Sequence, residues 1–384
     1  MNTFEHWAHA YSTMKVIILR DYKEENWHSM EVYADELIRH LQLLHIPNMD
    51  IRNHVVLPGL SALFPADHKY MRQFFRYVVN PLGSRFLDGD VFHITDHANS
   101  QLIAALDPKK TVITCHDLTA PYWMMEHVPL TRKKKIRHAV ERWRLGFLKR
   151  AAGIIAVSEA TKRQMVDILK IPKSRITVIP EGVDKSFVRI TDGTIIHDVS
   201  KRLRLPKKYI LHVGTTYYNK NIEGLLKIFF GLAACNSSLF LVKSGDAWTH
   251  DQERMIERSG FSNRIRHVGF VSSQDLPALY SLAEALIHPS YAEGFGFTVL
   301  EAMACGCPVV VSDIPAMREM VSDAGLYINP QSEKNQVEKI RSFLSSHTER
   351  KVLVRRGYIR AAAYSWEKTA EKTYALYARI AKRS

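Results

Sequence analysis

The sequence predicts an α/β protein built from two doubly wound domains in tandem, and three observations lead to this fold class. The chain has 384 residues, whereas a single hydrophobic core rarely grows beyond about 250–300 residues. Short apolar runs, typical of strands buried in a parallel sheet, alternate with segments of helical spacing. A polar stretch between about Phe187 and Lys208 interrupts this alternation once, after which it resumes.

In the first half of the chain, a series of apolar runs is interpreted as strands. A segment with helical spacing, from Ser29 to Leu44, follows the first run, and Ser158 is placed to cap a helix that ends at about Leu169. Strands alternating with helices indicate a parallel sheet covered on both faces. The predicted strands are Lys15–Leu19, Val91–Ile94, Thr111–Cys115, Ala152–Val157 and Ile176–Ile179.

The second half repeats the pattern. Ligands of such sheets bind beyond the carboxyl ends of the strands, and two facing sheets create a cleft, so we expect the site in this position. The predicted strands are Tyr209–Val213, Leu239–Val242, Ile265–Val268, Ala285–His288 and Pro308–Val311, and the predicted helices are Ile222–Ala234, Leu276–Ala283 and Thr298–Ala304.

Composition favours a soluble globular protein with an anionic partner. Apolar residues make up 46% and charged residues 24%, which argues against disorder. The formal net charge of +14 favours nucleic acid, an anionic membrane surface or phosphorylated ligands. Residues 1–13 do not resemble an export signal, and no apolar run approaches ~18 residues, so we expect a cytoplasmic protein. The cysteines lack zinc-site spacing and are expected to be reduced: Cys115, Cys235, Cys305 and Cys307.

Two loops carry the candidate binding residues. After the strand ending at His288, a glycine-rich loop contains Glu293, and Glu301 lies about one turn inside the helix that follows. A helix N-terminus after a glycine turn suits anions, and carboxylates accept hydrogen bonds from vicinal hydroxyls of sugars. Earlier in the chain, Lys220 stands beside the start of the helix at Ile222, where it can pair with a diphosphate. Taken alone, a solvated helix carboxylate and a solvated lysine remain alternatives.

At these residues the sequence resembles the retaining GT-B glycosyltransferases of family 4. Their signature is a glutamate, seven intervening residues and a second glutamate, after Pro-Ser, and it is intact between Pro289 and Glu301. Further segments agree with the family pattern: Val157–Thr161, Val178–Asp184, Gly269–Tyr280 and Tyr364–Glu367.

The resemblance implies a GT-B architecture of two Rossmann-like domains that face across a cleft. The N-terminal, acceptor-side domain would span 1–188, with a linker at 189–208. The nucleotide-sugar-binding domain would span 209–363, and a helix at 364–384 would cross back to the first domain.

The resemblance also assigns roles. Lys220, Glu293 and the first-domain His116 would be catalytic, and Glu301 would hold the nucleotide ribose. No metal or cofactor is implied, and the partners would be a nucleotide-diphosphate sugar and a saccharide or lipid-linked acceptor, with no nucleic acid. The donor-binding set would be Gly214, Thr215, Lys220, Val268, Gly269, Glu293, Gly294, Phe295, Gly296, Phe297, Thr298, Val299 and Glu301.

Two departures from the family pattern stand out. The family often has an arginine four or five residues before the lysine, where this chain has Thr216 and Thr215. The Gly-Gly turn after the first strand is replaced by His28-Ser29. The first departure bears on leaving-group stabilisation, for which Arg266 is a substitute candidate, and the second on the acceptor side.

A basic segment from Thr131 to Arg150 interleaves cationic residues with Trp143 and Phe147. On a helix this spacing gives one apolar and one cationic face. Two readings are open: a surface that touches anionic lipid on the inner face of a membrane, or a helix packed on its domain with a solvated basic side.

Two rival functions fit parts of the sequence. Another GT-B enzyme, such as a nucleotide-sugar epimerase or a glycoside phosphorylase, would use the same scaffold. A non-enzymatic anion-binding protein would explain the charge, although the chain lacks a zinc-finger or ribonucleoprotein motif.

Overall fold

A computed structural model describes residues 13–20, 28–54, 74–118, 132–332 and 335–383. Residues 1–12, in which we expect no export signal, lie outside this range, as do Thr131 and the side chains of 132–138 in the basic segment. The described chain forms two compact units. The first contains the residues up to Leu118, those from Arg132 to Gly182 and the last helix from Trp366, and the second contains Val183–Ser365.

The first unit contains a parallel sheet in the order β2-β1-β3-β4-β5-β6 within the described residues. Its interior strands β3, β4 and β5 are fully buried, which explains their continuous apolar sequences. The strands are β1 (Met14–Leu19), β2 (Met49–His54), β3 (Val91–Ile94), β4 (Thr111–Cys115), β5 (Gly153–Ala156) and β6 (Ile176–Val178).

The second unit contains a parallel sheet in the order β12-β11-β10-β7-β8-β9. Each unit is therefore a doubly wound α/β domain, as predicted. The strands are β7 (Tyr209–Gly214), β8 (Phe240–Gly245), β9 (Ile265–His267), β10 (Ala285–His288), β11 (Val309–Ser312) and β12 (Gly325–Ile328).

Helices connect these strands. Ser158 caps α4 as predicted, because its side chain accepts a hydrogen bond from the Thr161 amide. The α-helices are α1 (His28–Leu43), α2 (Asn80–Ser84), α3 (Arg132–Gly146), α4 (Glu159–Asp167), α5 (Gly193–Arg202), α6 (Ile222–Cys235), α7 (His250–Arg258), α8 (Leu276–Leu282), α9 (Phe297–Ala304), α10 (Pro315–Val321), α11 (Gln336–Ser345), α12 (His347–Ala362) and α13 (Trp366–Ala381). In the described ranges, none of the helices is long and apolar enough to cross a membrane.

The segment predicted as a linker, 189–208, contains helix α5 and lies in the second unit. Asp192 caps this helix by accepting hydrogen bonds from the amides of Thr194 and Ile195, and Val199 is buried. Helix α5 packs against α8. A mostly polar sequence thus forms a surface helix whose few apolar residues are enough to attach it.

The C-terminal helix α13 belongs to the first unit, as the family resemblance implied. Trp366 and Tyr377 are fully buried, and Thr369 Oγ1 donates to the Pro180 carbonyl at 2.7 Å. The Tyr377 hydroxyl hydrogen-bonds to Nδ1 of His93 on β3. Burial lowers the pKa of His93 to about 3, so this imidazole is neutral.

A close approach of two strand ends shapes the carboxyl edge of the second sheet. Gly214 of β7 pairs with Gly245 of β8, and the Gly245 amide donates to the Gly269 carbonyl at 2.8 Å. Gly245 has φ of +111°, and a Cβ atom there would lie 2.2 Å from the Gly214 carbonyl oxygen. Only glycine fits this contact.

We expect Gly245→Ala to lower the free energy of unfolding by more than Gly260→Ala does. Gly260 has φ of +75° with open space around its Cβ position, so alanine there costs about 1–2 kcal/mol of backbone strain alone. At Gly245 the clash with the Gly214 carbonyl adds to a similar strain. Denaturant unfolding of both variants measures the difference, and equal losses would contradict the close approach.

Candidate functional site

The two loops that carry the predicted site meet at the carboxyl edge of the second sheet. Strands β7 and β10 are parallel neighbours, so the segments that follow them leave the sheet side by side. The amide of Tyr291 donates to the Asn219 carbonyl at 2.8 Å, which joins the loops through their backbones. This pairing brings together Lys220 and Glu293, which are 73 residues apart in the chain.

Lys220 and Glu293 form an ion pair across the joined loops. Nζ of Lys220 lies 2.7 Å from Oε1 of Glu293, and the two side chains are 21% and 8% exposed. The His288 imidazole, which ends β10, places Nε2 2.7 Å from the same carboxylate oxygen. Burial alone would raise the pKa of Glu293, but Lys220 and His288 outweigh it and hold this pKa below its usual range. Glu293 is therefore ionised at neutral pH.

Asn221 places Lys220 at the start of α6. Its backbone is left-handed, with φ of +52°, which asparagine tolerates better than most residues. Its side-chain oxygen accepts from the Gly224 amide at 3.1 Å, and its side-chain nitrogen donates to the Pro289 carbonyl at 3.0 Å. One buried side chain thus caps the helix and attaches it to the glutamate loop.

Glu301 lies in a different environment from Glu293. The Tyr280 hydroxyl of α8 donates to its Oε2 at 2.8 Å, and Tyr280 is fully buried. Burial raises the pKa of Glu301 to about 7, although the Tyr280 hydrogen bond opposes this increase. Near neutral pH this carboxyl group exchanges between an acceptor-only form and a form that also donates.

The glycine loop leads directly into the first turn of α9. Gly296, with φ of +108°, is the N-cap residue and has no side chain to cap the helix. A Cβ atom at this position would lie 2.6 Å from Cε of Met317. Phe295 is buried against the rings of Phe297 and Tyr364. The helix N-terminus is therefore held rigidly from one side, and its partial positive charge suits an anion.

Not every predicted residue of this turn contributes a side chain to the edge. Gly294 and Gly296 contribute backbone, and Thr298 is half-buried in the first turn. The Val299 side chain lies in the core, and its amide donates to the Gly296 carbonyl at 3.1 Å within the helix. The structure thus assigns Val299 to packing.

The remaining predicted residues of the second unit line the β7–β9 part of the edge. Gly269 lies beside Gly245, and the Val268 amide donates to the Lys243 carbonyl at 3.0 Å. Oγ1 of Thr215 is buried and has no hydrogen-bond partner among the described residues. A buried hydroxyl of this kind usually finds a water or ligand partner, because leaving it unpaired is costly.

His116 belongs to the first unit and has two protein partners. Its Nδ1 lies 2.7 Å from Oε1 of Glu181, and its Nε2 donates to the Thr95 carbonyl at 2.9 Å. Burial alone would lower the pKa of His116, but Glu181, with Asp96, raises it to about 9. Both ring nitrogens are thus occupied within the first unit.

Three residues of the second-unit site were not predicted from the sequence. His288 and Asn221 stand beside predicted residues, and a polar side chain at a strand end or helix start is the signal that could have marked them. Tyr280 lies in an apolar helical pattern that resembles ordinary core, so its contact with Glu301 could not be read from the sequence.

Comparison with known proteins identifies the family of the chain. Residues 28–187 match the model of the family described as Glycosyltransferase Family 4, and residues 196–360 match that of Glycosyl transferases group 1. The chain belongs to the family 4, group 1 glycosyltransferases. The two matches correspond to the first and second units in turn.

Similar proteins include two mannosyltransferases of Escherichia coli. The O-antigen chain mannosyltransferase B is 29% identical over 70% of this chain and 70% of that protein. The serotype-specific mannosyltransferase WbdA is 27% identical over 68% of this chain, but the match spans only 32% of WbdA. The matched part of this glycosyltransferase therefore corresponds to about a third of the longer relative.

Solved structures confirm the GT-B fold. Sucrose-phosphate synthase from Thermosynechococcus elongatus matches with a TM-score of 0.72 over 97% of this chain and 100% of that one, at 17% identity. HepE of Anabaena, in complex with UDP and glucose, matches with a TM-score of 0.68 over 94% and 99%, at 20% identity. At these identities the likeness concerns the fold.

The raised pKa of Glu301 makes the stability of this glycosyltransferase depend on pH. The folded protein, with a pKa of about 7 at this group, binds the proton more tightly than the unfolded chain, whose carboxyl pKa is about 4.3. The stability contributed by protonated Glu301 is therefore fully present below about pH 4.3 and is lost as pH rises through about 7.

As pH rises through this range, we expect the free energy of unfolding of wild type to fall relative to that of Glu301→Gln. Denaturant unfolding at several pH values measures this difference. Tyr280→Phe removes the hydrogen bond that favours the ionised form, so it should move this range to higher pH. A constant difference between wild type and Glu301→Gln from pH 5 to 8 would contradict the assignment.

Proposed function

We propose that this glycosyltransferase is a retaining hexosyltransferase that moves a mannosyl group from a nucleotide-diphosphate sugar to a saccharide or lipid-linked acceptor in polysaccharide assembly. The observation that carries the proposal is the bridge between Lys220 and Glu293. It places an ammonium group and an ionised carboxylate together beside the starts of α6 and α9. A sugar diphosphate offers matching chemistry, since its phosphates are anionic and its hydroxyl groups donate hydrogen bonds.

In the proposed reaction, Lys220 and the N-terminus of α9 stabilise the charge that grows on the diphosphate as it leaves. Electrostatic stabilisation by preorganised groups of this kind is often the largest catalytic contribution. Glu293 holds hydroxyl groups of the sugar, and Glu301 holds those of the ribose. Both carboxylates then orient the donor, which lowers the entropic part of the barrier. No metal ion or cofactor takes part in this proposal.

The names of relatives support the choice of sugar and process. Besides the two Escherichia coli proteins, an O-antigen chain mannosyltransferase of Salmonella typhimurium is 30% identical over 49% of the chain. The HepE structure contains UDP and glucose, which is consistent with a nucleotide-sugar donor on this fold. Retention is proposed from the glutamate signature between Pro289 and Glu301.

A donor screen tests the proposed function. Thermal shifts with GDP-, UDP- and ADP-sugars identify the bound donor, and turnover is then measured with a mannoside acceptor, with and without EDTA. We expect a mannosyl donor to be consumed, the product to keep the donor's anomeric configuration by NMR, and EDTA to have no effect. Phosphate-dependent glycoside cleavage, or isomerisation without acceptor, would instead indicate a phosphorylase or an epimerase.

Lys220→Met is expected to lower kcat about 10²–10³-fold, with a smaller effect on KM. The substitution keeps the length of the side chain but removes the charge, which is needed most when the leaving diphosphate gains charge. Lys201→Met, at an exposed position of α5, is the control and should behave as wild type. A rise in KM with unchanged kcat would show that Lys220 only docks the donor.

We also propose that the protein lies in the cytoplasm and associates with the inner face of a membrane through the basic segment at 131–150. In its described part, Trp143 is 53% exposed, whereas Leu145 and Leu148 are buried and attach the segment to its unit. Three cationic side chains of the same part are also exposed: Arg142, Lys149 and Arg150. Each basic residue near an anionic surface contributes about 1 kcal/mol.

We expect binding to vesicles that contain anionic lipid, weaker binding at high salt, and loss of binding when Arg142, Lys149 and Arg150 are changed to Glu. Salt screens exposed charges, which is why it should weaken the association. The matched control changes three exposed cations of the second unit to Glu: Lys207, Lys351 and Arg355. Equal sedimentation of both triple variants would show that the segment does not provide the contact.

A further inference from the structure

Two buried histidines, one within β7 and one at the end of β10, form a stacked pair. The rings of His212 and His288 lie 5.9 Å apart with an interplanar angle of 18°. Both side chains are essentially inaccessible to solvent, at 0% and 1% exposure. His288 is the member of the pair that contacts Glu293 in the glutamate loop.

His288 and Lys220 share one oxygen of Glu293. Both Nε2 of His288 and Nζ of Lys220 lie 2.7 Å from Oε1. Within the described residues, Oε2 of Glu293 accepts no hydrogen bond from the protein. Among the described residues the carboxylate is thus held through Oε1, which leaves Oε2 as an acceptor for a ligand.

The contacts determine which ring nitrogens carry protons. Because Glu293 is ionised and accepts, Nε2 of His288 is the donor, and its Nδ1 is buried without a partner among the described residues. Nδ1 of His212 donates to the Ile287 carbonyl at 3.0 Å. Burial, helped by His288, lowers the pKa of His212 to about 3, so its ring is neutral. The neutral His212 ring, hydrogen-bonded to the backbone of β10, therefore stacks on the His288 ring and fixes its orientation.

We propose that His288, oriented by its stacking on His212, is a positioning residue that fixes the Glu293 carboxylate. As a result Lys220 stays at Oε1, and Oε2 faces the donor sugar. This inference rests on the proposed function. Lysine is a flexible point charge on a four-carbon stem, so a carboxylate held by Lys220 alone could rotate with it. A second donor from a rigid strand end removes that freedom, and a displacement of about 1 Å near a reacting centre can cost about 10²-fold in rate.

Two substitutions at the same position separate the hydrogen bond from the packing. His288→Phe keeps a ring that can stack on His212 but has no N–H group. His288→Gln loses the ring but places an amide N–H near the former position of Nε2. We expect His288→Phe to lower kcat about 10–100-fold, while the Kd for the nucleoside diphosphate stays within about twofold. His288→Gln should recover most of the lost kcat.

The proposal would be overturned if His288→Phe and His288→Gln lost kcat and nucleoside diphosphate affinity to the same extent. It would also be overturned if His288→Phe kept the kcat of wild type. A second measurement uses the unsubstituted protein and needs no turnover. In long-range ¹H–¹⁵N spectra, the His288 signals, identified by their loss in His288→Gln, should show the Nε2–H tautomer, and Glu293→Gln should shift them. An Nδ1–H tautomer would refute the positioning role.

The two readouts also distinguish this inference from the proposed function. If wild type consumes no nucleotide sugar but the spectra show the Nε2–H tautomer coupled to Glu293, the proposed reaction is wrong and the positioning contact stands. If wild type is active and the tautomer is the other one, the reaction stands and the positioning role is wrong.

Discussion

The second unit depends on how a nearly buried carboxylate keeps its charge. Moving an unpaired carboxylate out of water costs far more than most single contacts return, and it stays ionised only if donors surround it. Glu293 obtains these donors from Lys220 beyond β7 and from His288 at the end of β10. The parallel pairing of these strands, the backbone bond between their loops and the Asn221 cap all serve to bring the donors together.

The same signature contains two glutamates with opposite electrostatic environments. Cationic and N–H donors hold the pKa of Glu293 low, whereas burial beside a single phenol raises the pKa of Glu301 to about 7. The sequence alone does not distinguish these two glutamates, which are eight positions apart. The difference arises because one follows a strand end beside cations and the other turns into an apolar helix interface with Tyr280. One is a permanent anion, and the other is an acceptor whose strength varies near neutral pH.

Much of the fold could be predicted because interior parallel strands must be apolar on both faces. That rule identifies β3, β4, β5, β10 and β11. Apolar runs also mark the edge strands β6 and β9, whereas β2 and β12, at the opposite edge of each sheet, are not predicted. Strand β2 reads Met-Asp-Ile-Arg-Asn-His and is half-exposed, and β12 reads Gly-Leu-Tyr-Ile and is buried only at alternate positions, so neither resembles a fully buried strand. The site shows the same contrast. Its motif residues can be predicted from local sequence, but a contact between separate segments, such as that of Tyr280 with Glu301, depends on packing that no local pattern encodes.

The two units use buried histidines at strand ends in different ways. His116 gives both ring nitrogens to protein acceptors, Glu181 and the Thr95 carbonyl, so in this conformation a ligand could reach Nε2 only by replacing that carbonyl. His288 gives one nitrogen to Glu293, and within the part of the chain that the structure describes Oε2 of Glu293 has no hydrogen-bond partner. The His116 ring, with both nitrogens hydrogen-bonded, stabilises its own unit. The contact from His288 instead holds the Glu293 carboxylate in one orientation, so that a ligand meets an acceptor that is already in place. By this argument Glu293 is a preorganised acceptor within the second unit.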